Sequence, residues 1–411
     1  MINIDHRYEK EQHLKLLNID YFQNKDLGFK IVENVFAIPK TISGKSGGVY
    51  DESGILIEDT STNLEYGCPS FDVKNLKNVN QEKEIFIYLG VYESCWGHFI
   101  TDCLQKIWFI KSNNFNKCDS YKFVVISEKT DIGKNHKKLL ELLGIDYSKL
   151  TIVTKNTFFE KLIIPDSCFY YDNDSIIHYT KEYVSLITII KDHFKNNHLK
   201  EYKKIYYSYS NYKKGNGYKK TFGEEKLELF FKKQGFLIVH PEDHSIDKQL
   251  NMLANCEVFA STEGSSSHNS IFVNPDATII IIPRGPYFSG YQQAIDSLFG
   301  NNIYYIDSSL SAFVSKTGPW GGPNYFYVSE ELMNYFSIPN NQRQKYRDSN
   351  FKDIKKYFSY CLISLSGRHY YVQNIYAEKF MYYLGLNSKK VFPISFLKKK
   401  ALNLIAKIKR K

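Results

Sequence analysis

From residue 85 onward, short runs rich in β-branched and aromatic residues alternate with longer segments of helical periodicity. Strands that alternate with helices in this way form parallel sheets with helices packed against them. The pattern predicts strands at 85–89, 122–127, 151–154, 162–165, 204–210, 236–239, 257–261 and 277–282, with 303–306 as a further edge strand, and helices at 96–110, 134–144, 178–198, 223–234 and 244–255. We therefore predict an α/β fold.

The chain has 411 residues, which is too long for one ordinary hydrophobic core. We predict two α/β domains whose parallel sheets face each other across a cleft, followed by C-terminal helices. The predicted boundaries are 1–177 for the first domain, 178–200 for a linking helix, 201–340 for the second domain and 341–411 for the C-terminal helices.

The formal net charge of +10 lies almost entirely at the C-terminus, where residues 389–411 contain nine lysine or arginine residues and no acidic one. Subtracting these nine charges leaves +1 for the rest of the chain, which argues against a broad basic groove for nucleic acid. One helical stripe of this tail is apolar and consists of Leu397, Ala401, Leu404, Ile405 and Ile408. Basic amphipathic helices of this kind bind anionic membrane surfaces. A disordered basic end and an affinity for RNA are the alternatives.

The seven cysteines are scattered along the chain and form no CxxC pair. This pattern indicates reduced thiols and argues against a zinc site or a disulfide framework. The first residues do not resemble a signal peptide, and no stretch approaches the roughly 18 apolar residues of a membrane-spanning helix. We therefore expect a cytoplasmic protein that is peripheral on the inner face of the membrane through its tail.

The segment 258–283 predicts a strand, a loop of small residues, a short helix, a Pro-Asp turn and a second strand. The small residues 264–267, called the Ser loop below, allow backbone N–H groups to approach a ligand, and the helix presents its positive dipole end to the same place. Such a site suits a diphosphate, and it follows a strand end, where open parallel sheets bind ligands. The segment is neither a GxGxxG motif nor a Walker loop. An ordinary turn with a serine N-cap is the alternative.

On the predicted helix 96–110, His98, Asp102 and Gln105 are spaced i, i+4 and i+7 and share one polar stripe. A histidine and a carboxylate one turn apart supply a general base and the group that orients it. A surface ion pair, or a carboxylate that offsets the helix dipole, explains the same spacing without catalysis.

Two weaker patterns are also candidates for binding. Lys213, Lys214, Lys219 and Lys220 lie on a predicted Gly-containing loop, where lysines either contact phosphates or are simply solvated. The run 172–174, Asp-Asn-Asp, is similar to a DxD metal site. Turns favour the same residues, so we interpret it as a turn.

Two segments together resemble glycosyltransferase family 61. Residues 96–104, WGHFITDCL, are similar to the family's WGHFLxDxLP motif and are called the first motif below. Residues 263–277 are similar to its HGAGLTN…F…PG block, in the form found in bacterial members of the capsular polysaccharide biosynthesis type, and are called the second motif. Between them, 235–249 follows the family's spacing toward a recurrent glutamine, here Gln249.

The resemblance implies a GT-B fold and the inverting transfer of a sugar from a nucleotide-sugar donor to a surface polysaccharide or a lipid-linked glycan. It implies that Asp102 is the base, with His98 as the alternative. The residues expected to bind the donor are Glu263, Gly264, Ser265, Ser266, Ser267, His268 and Asn269, with Lys213, Lys214 and Gln249 as further candidates. No metal is expected to be required, although magnesium is compatible with this chemistry.

The chain departs from the family's pattern in two places. Members often carry an arginine-rich segment after the strand that 204–210 matches, and this chain has Ser-Tyr-Ser-Asn-Tyr-Lys-Lys at 208–214. Lysine supplies a point charge rather than a bidentate fork, so phosphate contacts from this segment are in doubt. The Leu-Pro that ends the first motif is Leu104-Gln105 here. Two alternative functions stay open: a non-catalytic nucleotide- or carbohydrate-binding protein, and another nucleotide-sugar enzyme of the GT-B type.

Overall fold

Strands and helices alternate along most of the chain, as the sequence pattern predicts. The computed structural model describes residues 2–5, 19–39, 47–61, 70, 72–115, 120–195, 202–211, 221–284, 289–310, 313–314, 323–364 and 371–372. Within them the strands are β1 (Ile2–Asp5), β2 (Phe29–Ile38), β3 (Gly48–Tyr50), β4 (Asn80–Val91), β5 (Lys122–Ile126), β6 (Leu150–Val153), β7 (Thr157–Pro165), β8 (Phe169–Tyr171), β9 (Ile177–Tyr179), β10 (Lys204–Tyr207), β11 (Thr221–Phe222), β12 (Leu237–Val239), β13 (Val258–Thr262), β14 (Thr278–Ile282), β15 (Asn302–Ile306), β16 (Ser309–Leu310), β17 (Phe313–Val314), β18 (Asn324–Phe326) and β19 (Tyr371–Val372). The α-helices are α1 (Trp96–His98), α2 (Lys134–Leu142), α3 (Lys181–Phe194), α4 (Glu224–Lys233), α5 (Ile246–Asn255), α6 (Gly290–Ser297), α7 (Glu330–Tyr335) and α8 (Asn340–Ser364).

The first large sheet has six strands in the order β3-β2-β7-β4-β5-β6. β7, β4, β5 and β6 are parallel, whereas β2 runs antiparallel to both of its neighbours. This sheet is therefore mixed, which corrects the prediction of a parallel sheet for the first domain. Local periodicity indicates that a segment is a strand, but it carries no information on the direction of the strand beside it.

The second large sheet has six strands in the order β1-β15-β14-β13-β10-β12, and all of them are parallel. When β10 is counted as the first strand, β12-β10-β13-β14-β15 has the doubly wound order 2-1-3-4-5. In that order the strand sequence reverses between β10 and β13, and ligands bind in the crevice beyond the carboxyl ends of these strands. The Ser loop follows β13 and therefore lies at this crevice.

β1 lies in the second sheet, although its residues fall within the range predicted for the first domain. It pairs with β15 in parallel, with Ile2 opposite Ile303 and Asp5 opposite Ile306. β15 is consequently flanked on both sides, by β14 and β1, and the prediction of an edge strand at 303–306 is wrong. The pairing joins residues 301 positions apart in sequence, such as Ile2 and Ile303, which no local pattern indicates.

The segment predicted as one helix, 96–110, consists of three consecutive pieces. α1 continues into a π-helical turn, Phe99–Cys103, and the 3₁₀ helix Ile107–Lys111 follows. The Thr101 hydroxyl donates to the Gly97 carbonyl oxygen at 3.1 Å, and such side-chain bonds compete with regular helical ones. The π turn buries all five of its residues, so Asp102 is buried rather than part of an exposed polar stripe. π turns often occur at functional sites.

One hydrophobic cluster extends through both large sheets. It contains Ile87 and Phe123 from the first sheet together with Ile205, Phe259 and Ile279 from the second. Each is at most 1% exposed, and burying a side chain of this size contributes about 1.5–3 kcal/mol. The two sheets are therefore held against each other by a common core.

No helix among the described residues is long and apolar enough to cross a membrane. The tail, 389–411, lies outside the described residues, so the amphipathic helix expected there stays a prediction. The last helix that the structure describes is α8, which begins at the predicted start of the C-terminal helices.

Candidate active site

The two motifs meet at the junction of the two sheets. The first motif follows the carboxyl end of β4, and the second follows the carboxyl end of β13. Trp96 Nε1 donates to Asn269 Oδ1 at 2.9 Å, and Cys95 Sγ lies 3.5 Å from Ser265 Oγ. Two segments that are about 170 residues apart in sequence are thus in direct contact, and the hydrogen bond of Trp96 joins them.

Gly97 lies close to the second motif and the Ser loop. A Cβ atom added there would lie 2.8 Å from His268 Cδ2 and 3.1 Å from Ser265 Oγ. Distances of this kind are shorter than van der Waals contact, so only glycine lets the first motif approach the Ser loop this closely.

His98 and Asp102 form the hydrogen-bonded pair that their spacing predicts. His98 Nδ1 lies 2.8 Å from Asp102 Oδ2, and the Tyr291 hydroxyl donates to Asp102 Oδ1 at 3.2 Å. The His98 side chain is 51% exposed, whereas that of Asp102 is 7% exposed. The hydrogen bond to Asp102 raises the pKa of His98 above its ordinary value. Both carboxylate oxygens are thus occupied, while the imidazole faces solvent.

The Ser loop keeps two backbone N–H groups available. Gly264 adopts a φ of +127°, and the N–H groups of Ser267 and His268 donate back to its carbonyl oxygen. The N–H groups of Ser265 and Ser266 donate to no other described residue. The helix that follows is a 3₁₀ helix, Ser267–Phe272, and is too short to supply much of the predicted dipole.

Arg284 is a site residue that the sequence reasoning missed. It follows β14 and is 7% exposed, and its Cζ would lie 3.1 Å from a Cβ atom added at Gly264. Arg284 Cζ also lies 5.2 Å from the centroid of the Tyr209 ring, two residues beyond β10. A cation is therefore held beside the Ser loop at the switch point of the second sheet. The sequence does contain a signal for Arg284, because a charged residue follows directly after an apolar strand and Pro283, where open parallel sheets bind ligands.

Three predicted donor-binding residues make hydrogen bonds that hold the local structure. The Glu263 carboxylate accepts the N–H groups of Ser289 and Arg284 at 3.0 and 3.3 Å, and complete burial raises its pKa to about 7. Asn269 Oδ1 accepts a hydrogen bond from Trp96, and Asn269 Nδ2 donates to the carbonyl oxygens of two residues of the Ser loop. Gln249 Nε2 donates to the Pro241 and His244 carbonyl oxygens at 2.7 and 2.9 Å. Their role in donor binding stays a prediction.

Two other sequence features are candidates for binding. Lys213, Lys214, Lys219 and Lys220 fall outside the described residues. Asp172 lies in the turn between β8 and β9, where its Oδ1 accepts the N–H groups of Asp174 and Ile176, as the turn interpretation predicts. In the part of the chain that the structure describes, no group of three or more His, Cys, Asp or Glu residues is arranged to hold a metal ion.

An α/β fold with a small-residue loop at its switch point and a histidine–carboxylate pair near that loop suits a ligand-binding site. Comparison with protein families agrees with this arrangement, because residues 96–280 match the family described as glycosyltransferase 61. The match begins with the first motif, includes the second motif and ends within β14. It supports a glycosyltransferase activity. The resemblance to family 61 is thereby confirmed, while the bacterial capsule type stays a prediction. No curated protein matches the chain.

Proposed function

We propose that the protein is an inverting glycosyltransferase of GT-B architecture that transfers a sugar from a nucleotide-sugar donor to a surface polysaccharide or a lipid-linked glycan. The observation that carries this proposal is the meeting of the two family motifs, through Trp96 and Asn269 and at Gly97, with the His98–Asp102 pair beside the Ser loop. The donor lies at the switch point of the second sheet, and the acceptor approaches from the side of the first motif.

His98 is the group best placed to act as the base. Its Nδ1–H donates to Asp102, so the second ring nitrogen, Nε2, carries the lone pair on an exposed side chain. In the proposed step, Nε2 takes the proton of the acceptor hydroxyl, whose oxygen attacks the anomeric carbon from the face opposite the diphosphate. Asp102 then orients the imidazole and stabilises its charged form. This division of roles favours His98 as the base, which the sequence analysis gave as the alternative to Asp102.

The departing diphosphate takes the electron pair of the broken carbon–oxygen bond and gains negative charge. The Ser265 and Ser266 N–H groups are the backbone donors placed to meet it, and the Arg284 guanidinium lies beside the same loop. Preorganised donors of this kind are worth about 10²–10³-fold each in turnover. Arg284 supplies the bidentate fork that the lysine-containing segment 208–214 lacks, and we expect no requirement for magnesium.

Purified protein is expected to be stabilised against heat by one of UDP, GDP and CMP, or by their sugars. A ligand at 100 times its Kd raises the free energy of unfolding by about 2.7 kcal/mol. Ser265→Asp places a carboxylate beside the bound phosphate and should abolish this stabilisation, whereas the equally sized, neutral Ser265→Asn should retain most of it. Thermal unfolding with and without magnesium measures both effects.

Each outcome of that experiment is informative. Stabilisation by one nucleotide that only Ser265→Asp removes locates the donor at the Ser loop and narrows the choice of sugar. If a nucleotide stabilises both variants equally, the donor binds somewhere other than the Ser loop. Stabilisation by none of the nucleotides contradicts the transferase and favours a carbohydrate-binding protein of the same fold.

Deletion of 389–411 is expected to move the protein from the membrane pellet to the supernatant. The nine basic side chains contribute roughly 1 kcal/mol each near an anionic surface at low salt. Fractionation of cells that express the full chain, the deletion, or a variant with Lys398, Lys399 and Lys400 changed to glutamine measures the contribution of charge. An unchanged distribution of the deletion would refute membrane binding through the tail.

A further inference from the structure

His268 is connected to a chain of buried polar side chains that extends away from the junction. Its Nδ1 lies 2.9 Å from Gln292 Oε1, and Gln292 Nε2 donates to Asp296 Oδ1 at 2.8 Å. The second oxygen of Asp296 accepts the hydroxyl of Tyr305. Gln292 is fully buried, and both His268 and Asp296 are at most 8% exposed.

This chain fixes where His268 carries its proton. Burial raises the pKa of Asp296 to about 7, and in its ionised form it only accepts hydrogen bonds. The Gln292 NH₂ group then faces Asp296, where it also donates to Ser270 Oγ at 3.0 Å. The carbonyl oxygen of Gln292 then faces His268, which must donate from Nδ1. Asp296 thus sets the orientation of the amide, and the amide sets the tautomer of the imidazole.

The remaining nitrogen, Nε2, carries a lone pair and points toward the first motif. A Cβ atom added at Gly97 would lie 3.4 Å from it. The centroid of the His268 ring is 6.4 Å from that of Tyr291, and the His98 ring packs against the same tyrosine at 5.8 Å. The two histidines therefore lie near the same tyrosine, and each is hydrogen-bonded through Nδ1.

Their environments nevertheless give them opposite charge preferences. Complete burial lowers the pKa of His268 to about 4, whereas the hydrogen bond to Asp102 raises that of His98. A pair of groups whose pKa values are separated in this way usually divides two tasks. His98 suits proton uptake, and His268 stays neutral at physiological pH.

We propose that His268 Nε2 accepts a hydrogen bond from a hydroxyl group of the bound sugar, and that Gln292 and Asp296 are positioning residues that hold the required tautomer. This rests on the proposed function and names the part of the substrate that His268 recognises. A lone pair at Nε2 attracts a hydroxyl proton and repels a phosphate oxygen. The sequence assigns His268 only to the donor site in general, and we assign it to the sugar of that donor.

The tautomer is measured by NMR of protein with ¹³C,¹⁵N-labelled histidine, with the His268 signals assigned by their absence in His268→Gln. Wild-type protein should show His268 neutral and protonated at Nδ1 at pH 8, where Asp296 is mostly ionised. Gln292→Leu removes the acceptor and should populate the Nε2–H form, with a loss of about 10-fold or more in kcat/KM. Gln293→Leu is the matched control, because this neighbouring buried glutamine bonds Tyr21 instead.

An Nε2–H or charged His268 in the wild type, or an unchanged tautomer in Gln292→Leu, would overturn the relay. The sugar contact is tested by adding UDP-glucose, UDP-N-acetylglucosamine or GDP-mannose, each against its free nucleotide. A change at the Nε2 signal with a nucleotide sugar and not with the nucleotide supports the contact. An identical change with both, or none with any sugar, rejects it. If no nucleotide binds at all, the transferase proposal fails, while the tautomer result still decides the relay.

Discussion

Asp102→Asn is expected to lower turnover by about 10²–10⁴-fold while leaving the protein folded. Asparagine has the same shape and still presents an oxygen to His98 Nδ1, but it lacks the charge that stabilises the imidazolium. The pKa of His98 is raised in the wild type, so kcat/KM should fall on the acid side at a pH above the ordinary value of 6.5. In Asp102→Asn this acid limb should move to lower pH, because a neutral partner no longer favours the charged imidazole.

His98→Gln is the companion variant to Asp102→Asn and separates the two base assignments. If His98 is the base, His98→Gln loses turnover to a similar extent and its acid limb disappears. If His98→Gln is active while Asp102→Asn is inactive, Asp102 itself takes the proton. Glu93 and Cys95 also raise the pKa of His98, and they are unchanged in both variants. Full turnover of Asp102→Asn would refute a catalytic role for the pair.

Gly97→Ala is expected to destabilise the protein by roughly 1–3 kcal/mol and to abolish its stabilisation by nucleotides. The added methyl group would lie 2.8 Å from His268 Cδ2, and Gln292 holds this ring in place from the other side. The first motif must therefore move away from the Ser loop. Thermal unfolding with and without nucleotide measures both effects.

Gly28→Ala is the matched control for Gly97→Ala. A Cβ atom at Gly28 meets only Asp166 Oδ2, at an ordinary 3.5 Å, so stability and nucleotide response should stay close to those of the wild type. Unaltered nucleotide stabilisation of Gly97→Ala would mean that the donor does not depend on the contact between the two motifs.

The sequence predicts the parts of this site that depend on local spacing. The i, i+4 spacing of His98 and Asp102 predicts their contact, and the small residues after β13 predict the Ser loop. Tyr291 and Arg284 were missed because they reach the junction from other elements, namely α6 and the end of β14. Hydrophobic periodicity describes one element at a time, whereas these contacts arise from how the elements are packed.

The segment 96–110 shows a second limit of sequence reasoning. Its apolar spacing is that of a helix, and α1 and the 3₁₀ helix bear out that preference at either end. The π turn between them depends on hydrogen bonds and burial that a 3.6-residue period does not describe. Asp102 consequently lies inside the protein rather than on its surface, and it orients His98 through their hydrogen bond.

The pairing of β1 with β15 bears on how the chain is synthesised and folded. A ribosome makes Ile2–Asp5 before the strands of the first sheet, and their partner strand, Asn302–Ile306, emerges only after the whole first sheet has been made. The N-terminal strand must therefore remain unpaired through most of translation, and closing a connection of this length slows folding. The second sheet is complete only when β1 and β15 are both present, so the two sheets are not independent products of translation.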